Sequence, residues 1–106
     1  MSEYNKLVRD RIPEIIRHAG EHYAVEVMTE EKYQQALRQK LVEEASEAAQ
    51  AQTPQELVTE LADLQEVIDT LITTSGLSRE MIMQEQERRR AERGGFEQRL
   101  RLHWAG

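Results

Sequence analysis

Two acid pairs of equal spacing stand in the middle of this chain: Glu44 with Glu47, then Glu60 with Asp63, inside the stretch KLVEEASEAAQAQTPQELVTELADL. On a helix, residues three apart lie about 5–6 Å from one another at Cβ, so each pair can share one cation. Two such pairs on antiparallel helices joined by a short loop would face each other. Ligands that offer only oxygen favour Mg2+ or Mn2+ over zinc. The chemistry open to this set is therefore the binding of a hard divalent cation.

Helical geometry decides whether the acids point the right way. Take about 100° per residue, with Leu37 as origin: Tyr33, Leu41, Ala45 and Ala48 then form an apolar arc that encloses Glu44, at about 340°. Glu47 lies on the shoulder of that arc and Glu43 further round. On the following helix Leu57, Leu61, Leu64, Ile68 and Leu71 make a heptad-like seam. Glu60 and Asp63 flank it with Val67 between them, while Glu66 falls on the opposite face. Runs of acids on helices are ordinarily solvated faces. These angles instead draw several carboxylates inward, where an unpaired charge costs several kcal/mol and like charges raise one another's pKa. Lys40, four before Glu44, can neutralise one acid but not the set.

The elements that must position these residues are legible as helices. A first is expected from about Val8 to Ala19, with Pro13 near its first turn and Gly20 as its stop. Thr29 followed by Glu30 and Glu31 opens a second, reaching Gln50. Thr53, Pro54 and Glu56 have the spacing of a capping box with proline at the first helical position, and start a third that runs to Thr74. A fourth covers Ser78 to Arg93 and ends at Gly94-Gly95. Tyr23, Val25 and Val27 alternate like a short strand, and Phe96, Leu100, Leu102 and Trp104 share one side of the tail. These two segments are expected to pair as a minor two-stranded element. The fold class is all-α: a bundle of about four helices.

The 106 residues are read as one domain, with 32% charged residues and few aromatics, so the core rests on small aliphatic side chains. Part of the apolar surface is expected to be buried against a second copy. Without cysteine there is neither a disulfide nor a thiolate metal site. No signal-peptide pattern and no long apolar run is found, so no membrane partner is expected, and the setting is read as the cytoplasm. The net charge of −6 argues against nucleic acid as a partner. Bases gather at Lys6, Arg9 and Arg11 and again from Arg88 to Arg101, around an acidic centre. That distribution suits a small polyanion held through metal ions.

Together these features resemble a known family. EEASE at Glu43–Glu47 followed by ELAD at Glu60–Asp63 is similar to the EExxE…ExxD signature of the all-α, MazG-like nucleoside triphosphate pyrophosphatases, which include phosphoribosyl-ATP pyrophosphohydrolase. The opening YNKLVRDRIPEII and the late RGGFEQRL resemble the small house-cleaning members. The resemblance implies Mg2+-dependent hydrolysis of a nucleoside triphosphate to its monophosphate and pyrophosphate, with Mn2+ as a substitute ion. It implies Glu44, Glu47, Glu60 and Asp63 as metal ligands, and Glu43, Glu44 and Glu47 as the catalytic set. Lys6, Arg9, Arg11, Lys40 and Arg93 are the candidate substrate contacts. A homodimer or homotetramer is implied as well. The competing expectation is a non-catalytic helical oligomerisation or interaction module, whose acids would face solvent.

Overall fold

A computed structural model of the chain describes residues 5–106. Tyr4, the first residue of the YNKLVRDRIPEII stretch, lies outside them. Four helices follow in order: α1 (Ile12–His18), α2 (Glu30–Gln50), α3 (Pro54–Thr74) and α4 (Arg79–Arg93). Three of the four starts carry a hydroxyl cap. Thr29 Oγ1 accepts from the Lys32 amide at 3.3 Å, Thr53 Oγ1 from Glu56 at 3.1 Å and Ser78 Oγ from Met81 at 3.2 Å. Glu56 reaches back one residue beyond the cap, accepting from the Gln52 amide at 2.8 Å. The start of α3 is therefore tied from both sides.

Helix α3 stops in a Schellman turn. The Gly76 amide donates to Thr73 and the Leu77 amide to Ile72, at 3.2 and 3.0 Å. Gly76 takes φ 72°, a conformation that side chains disfavour. Helix α1 is shorter than the sequence implied, beginning at Ile12 instead of Val8. Pro13 cannot donate to a preceding turn and crowds the carbonyl four residues back, so the helix starts beside it.

The centre of the fold is the α2–α3 hairpin, the one pair of helices among the described residues with an extended interface. Its antiparallel sense is fixed at the open end, where Gln34 Nε2 on the first turns of α2 donates to the Thr74 carbonyl at the end of α3, at 3.2 Å. Leu37, Val67 and Ile72 are its buried hydrophobic residues. The seam expected on α3 is only partly covered, because Leu57 and Leu61 are 42% and 49% exposed. Burial on α3 instead falls at Val67 and Ile72, with Leu64, Ile68 and Leu71 half-buried, and it takes in Glu60 and Asp63 on the seam's shoulder ahead of Leu57 and Leu61.

No strand forms among the described residues, which corrects the expected two-stranded element. Residues 22–27 and the tail are exposed coil. A turn in which the Arg99 amide donates to the Phe96 carbonyl, with Arg99 at φ 63°, breaks the alternation where the second strand would begin. Two strands alone are also marginal in water without a third element to cover them. The radius of gyration is 18.2 Å, against about 13 Å for a compact domain of this length. Helix α4 and the tail, exposed along nearly their whole length, do not gather around the hairpin's small core.

Candidate functional site

The turn between α2 and α3 is only Ala51, Gln52 and Thr53. Glu44 lies six residues before Gln50, and Glu60 six after Pro54. At a rise of about 1.5 Å per residue the two acids stand level, roughly 9 Å from the turn. Rotation of α3 then brings Glu60 and Asp63 to face Glu44. The acid site thus follows from the caps, the turn length and the helical repeat.

Carboxylate oxygens of Glu44, Glu60 and Asp63 lie within 4.8 Å of one another, and so do those of Glu43, Glu44 and Glu47. Glu44 belongs to both triads and is the single buried charged residue among the described residues, at 7% exposure. Glu43, Glu60 and Asp63 are half-buried, whereas Glu47 is exposed. The inward arc therefore holds one fully buried carboxylate, and its neighbours form a rim. Glu44 Oε2 and Glu60 Oε2 are both buried and without a hydrogen-bond partner. Burial, reinforced by the neighbouring Glu47 carboxylate, pushes Glu44 above the ordinary glutamate range, and Lys40 offsets only part of this.

Three cations border the cluster. Lys40, with a side chain 18% exposed, lies 3.6 Å from both Glu43 and Glu44. Lys6 is 3.6 Å from Glu43. Arg9 donates from Nη2 to Asp63 Oδ1 at 2.8 Å, a contact that spans 54 positions of sequence. Of the five candidate bases, the structure brings these three to the acids and leaves two elsewhere. Arg11 pairs with Glu14, 3.1 Å away in the first turn of α1. Arg93 closes α4 and lines a recess with Gly94, Phe96 and Arg99, residues that carry none of the cluster. Sequence reasoning aimed Lys6 and Arg9 at phosphates and missed their pairing with the rim carboxylates. The signal was present: five acids with Lys40 alone leave a large negative excess for nearby bases to meet.

The orphaned oxygens test whether a divalent cation fits. Two buried acceptors without donors, in a set of oxygen ligands close enough to converge, are what such an ion would satisfy. Zinc is disfavoured because no cysteine or histidine joins the set.

An all-α hairpin with facing acid triads is the architecture of a MazG-like helical pyrophosphohydrolase. The family model described as phosphoribosyl-ATP pyrophosphohydrolase matches residues 1–90, and the chain belongs to that family, within the MazG-like all-α superfamily. No curated protein and no solved structure gives a match. Membership makes the chain a hydrolase of acid anhydrides that acts on a nucleotide, in a family that typically depends on metal. No helix among the described residues is long and apolar enough to cross a membrane.

Proposed function

We propose that residues 1–106 form a single domain that hydrolyses a nucleoside triphosphate between its α- and β-phosphates in the presence of Mg2+, releasing pyrophosphate and the monophosphate. The observation that carries this reading is the pair of buried, partnerless oxygens, Glu44 Oε2 and Glu60 Oε2, at the junction of the two acid triads. Glu44, Glu47, Glu60 and Asp63 would hold the metal, with Mn2+ able to take its place. When bound, the ion neutralises phosphate oxygens and makes water more acidic.

The chain's own groups supply the rest. Glu44 anchors the site from the interior and Glu47 closes it on the solvent side. Glu43, 3.6 Å from both Lys6 and Lys40, is placed to orient the attacking water and take its proton. Lys40 balances the interior charge beside Glu43 and Glu44 and would contact the phosphates. Lys6 and Arg9 contact the phosphates from the rim, with Arg11 and Arg93 as outer contacts that need the segments carrying them to move. The proposed role is house-cleaning: removal of aberrant nucleotides in the cytoplasm.

The exposed apolar side chains Leu57, Val58 and Leu61 on α3 support a homodimer or homotetramer in which a second copy covers the hairpin. The interaction-module reading expected acids open to solvent, and the burial of Glu44 weighs against it.

The test is pyrophosphate release from a panel of nucleoside triphosphates and a phosphoribosylated nucleotide, with Mg2+ and with Mn2+. Turnover of at least one, abolished by Glu47→Gln or Asp63→Asn in folded protein, is expected. Turnover of none, with either ion, would overturn the proposal.

A further inference from the structure

We propose that the segment before α1 is an exchangeable counter-ion for the acid cluster: Arg9, with Lys6 beside it, holds the rim carboxylates until a divalent cation enters, and then turns to the phosphates of the substrate. This rests on the metal-dependent reading above and adds a step that the reading does not require.

The cations around the cluster fall into two kinds. Lys40 is largely covered and sits between Glu43 and Glu44 on the same helix, so it is a permanent part of the interior. Arg9 and Asp63 are 57% and 37% exposed at their side chains. Ion pairs so open to water are weak. Lys6 and Glu43 are similarly open, at 47% and 37%. Both outer contacts can therefore be broken and remade at little cost, while Lys40 stays.

Their placement is selective. This segment, a strap held by Lys6 and Arg9, reaches Glu43 Oε1 and Asp63 Oδ1, and it leaves the interior oxygens Glu44 Oε2 and Glu60 Oε2 without a donor. Two interior acceptors that Lys6 and Arg9 do not reach thus remain for an ion. An ion that drew on Asp63 would then stand beside the Arg9 guanidinium, and like charges at that range repel. Five carboxylates against Lys40, Lys6 and Arg9 leave two negative charges, which one divalent ion balances. With the strap released the excess rises to four, room for a second cation that arrives with the substrate. The freed guanidinium is a planar fork suited to paired phosphate oxygens.

The experiment titrates Mg2+ and Mn2+ into the full, substrate-free chain by calorimetry, then titrates tripolyphosphate into the metal-loaded protein. Arg9→Gln should tighten metal binding up to about fivefold, the most that an exposed pair is worth. The same variant should weaken tripolyphosphate at least about tenfold, the loss of one charge-assisted contact. Arg9→Lys should restore most of the metal effect and only part of the phosphate effect. Arg17→Gln, which removes the same charge from the exposed side of α1, should change neither. Metal affinity that is unchanged or weakened in Arg9→Gln would overturn the strap while leaving the proposed function standing. Absence of metal binding by the unaltered protein would overturn the proposed function, and the strap with it.

Discussion

Neutralising the central carboxylate should make the metal-free protein more stable, not less. Glu44 is 7% exposed, its Oε2 lacks a donor, and Glu47 lies alongside with like charge. A buried polar atom without a partner costs about 1–3 kcal/mol. Glu44→Gln removes the charge and supplies an amide donor among carboxylates whose oxygens lie within 4.8 Å of one another. Lys40 is not stranded, because Glu43 remains 3.6 Å away. Its lost attraction to Glu44 places the net gain near the lower end, about 1 kcal/mol. For a domain of this size that raises the melting temperature by about 4–8 °C. Magnesium reverses the order. An ion at a hundred times its dissociation constant adds about 2.7 kcal/mol to a protein that binds it, and the variant should gain almost nothing. Thermal unfolding in a chelator and in excess Mg2+ should therefore show the two curves exchanging places. A variant that melts lower in the chelator, or one that keeps the full Mg2+ shift, would refute the reasoning.

Further outcomes follow from the same geometry. The melting-temperature difference between Glu44→Gln and the unaltered, metal-free protein should shrink as pH is lowered. The folded-state pKa of Glu44 is raised above 4.5, so its carboxyl favours the fold when protonated, and that contribution is lost as pH rises through the folded value. Lys40, Glu43 and Glu47 from α2 and Glu60 and Asp63 from α3 surround the same group, and a constant difference from about pH 7 to pH 4 would contradict this assignment. Thr53→Ala should lower the melting temperature by about 4–8 °C through loss of roughly 1 kcal/mol of capping, with the Mg2+ shift intact. A charge on the open face, as in Val58→Glu, should move the protein to a smaller species in sedimentation or light scattering. An unchanged mass would remove Val58 from any interface.

The helical framework was legible because its signals are local. Thr53-Pro54 with Glu56, and Thr29 before Glu30 and Glu31, state helix starts within one turn, and Gly76 states a stop. Glu44 was legible for a related reason: its angle depends only on the repeat of its own helix, and that angle placed it in the interior. The exposure of Leu57 and Leu61 was not legible. It depends on how α3 rolls against α2, and the sequence offers two competing faces, one with leucines and one with Glu60, Asp63 and Val67. The failed strand has a similar origin. Period-two alternation in Phe96–Trp104 says what a strand would bury, but pairing also needs a partner and a covering layer. Arg9 with Asp63 joins residues 54 positions apart, a distance at which no local pattern operates.

The brevity of the Ala51–Thr53 connection turns it into a gauge for the whole acid cluster. One residue added within the first turn of α3, between its Thr53 cap and Glu60, would shift Glu60 and Asp63 by about 100° and 1.5 Å relative to the turn, carrying them away from Glu44 while both helices stayed intact. Length variation should thus be ruinous at this corner yet harmless in the exposed link from Glu21 to Val27. Anyone grafting a tag or a reporter into the chain has a permissive position and a forbidden one, set by the same helical pitch.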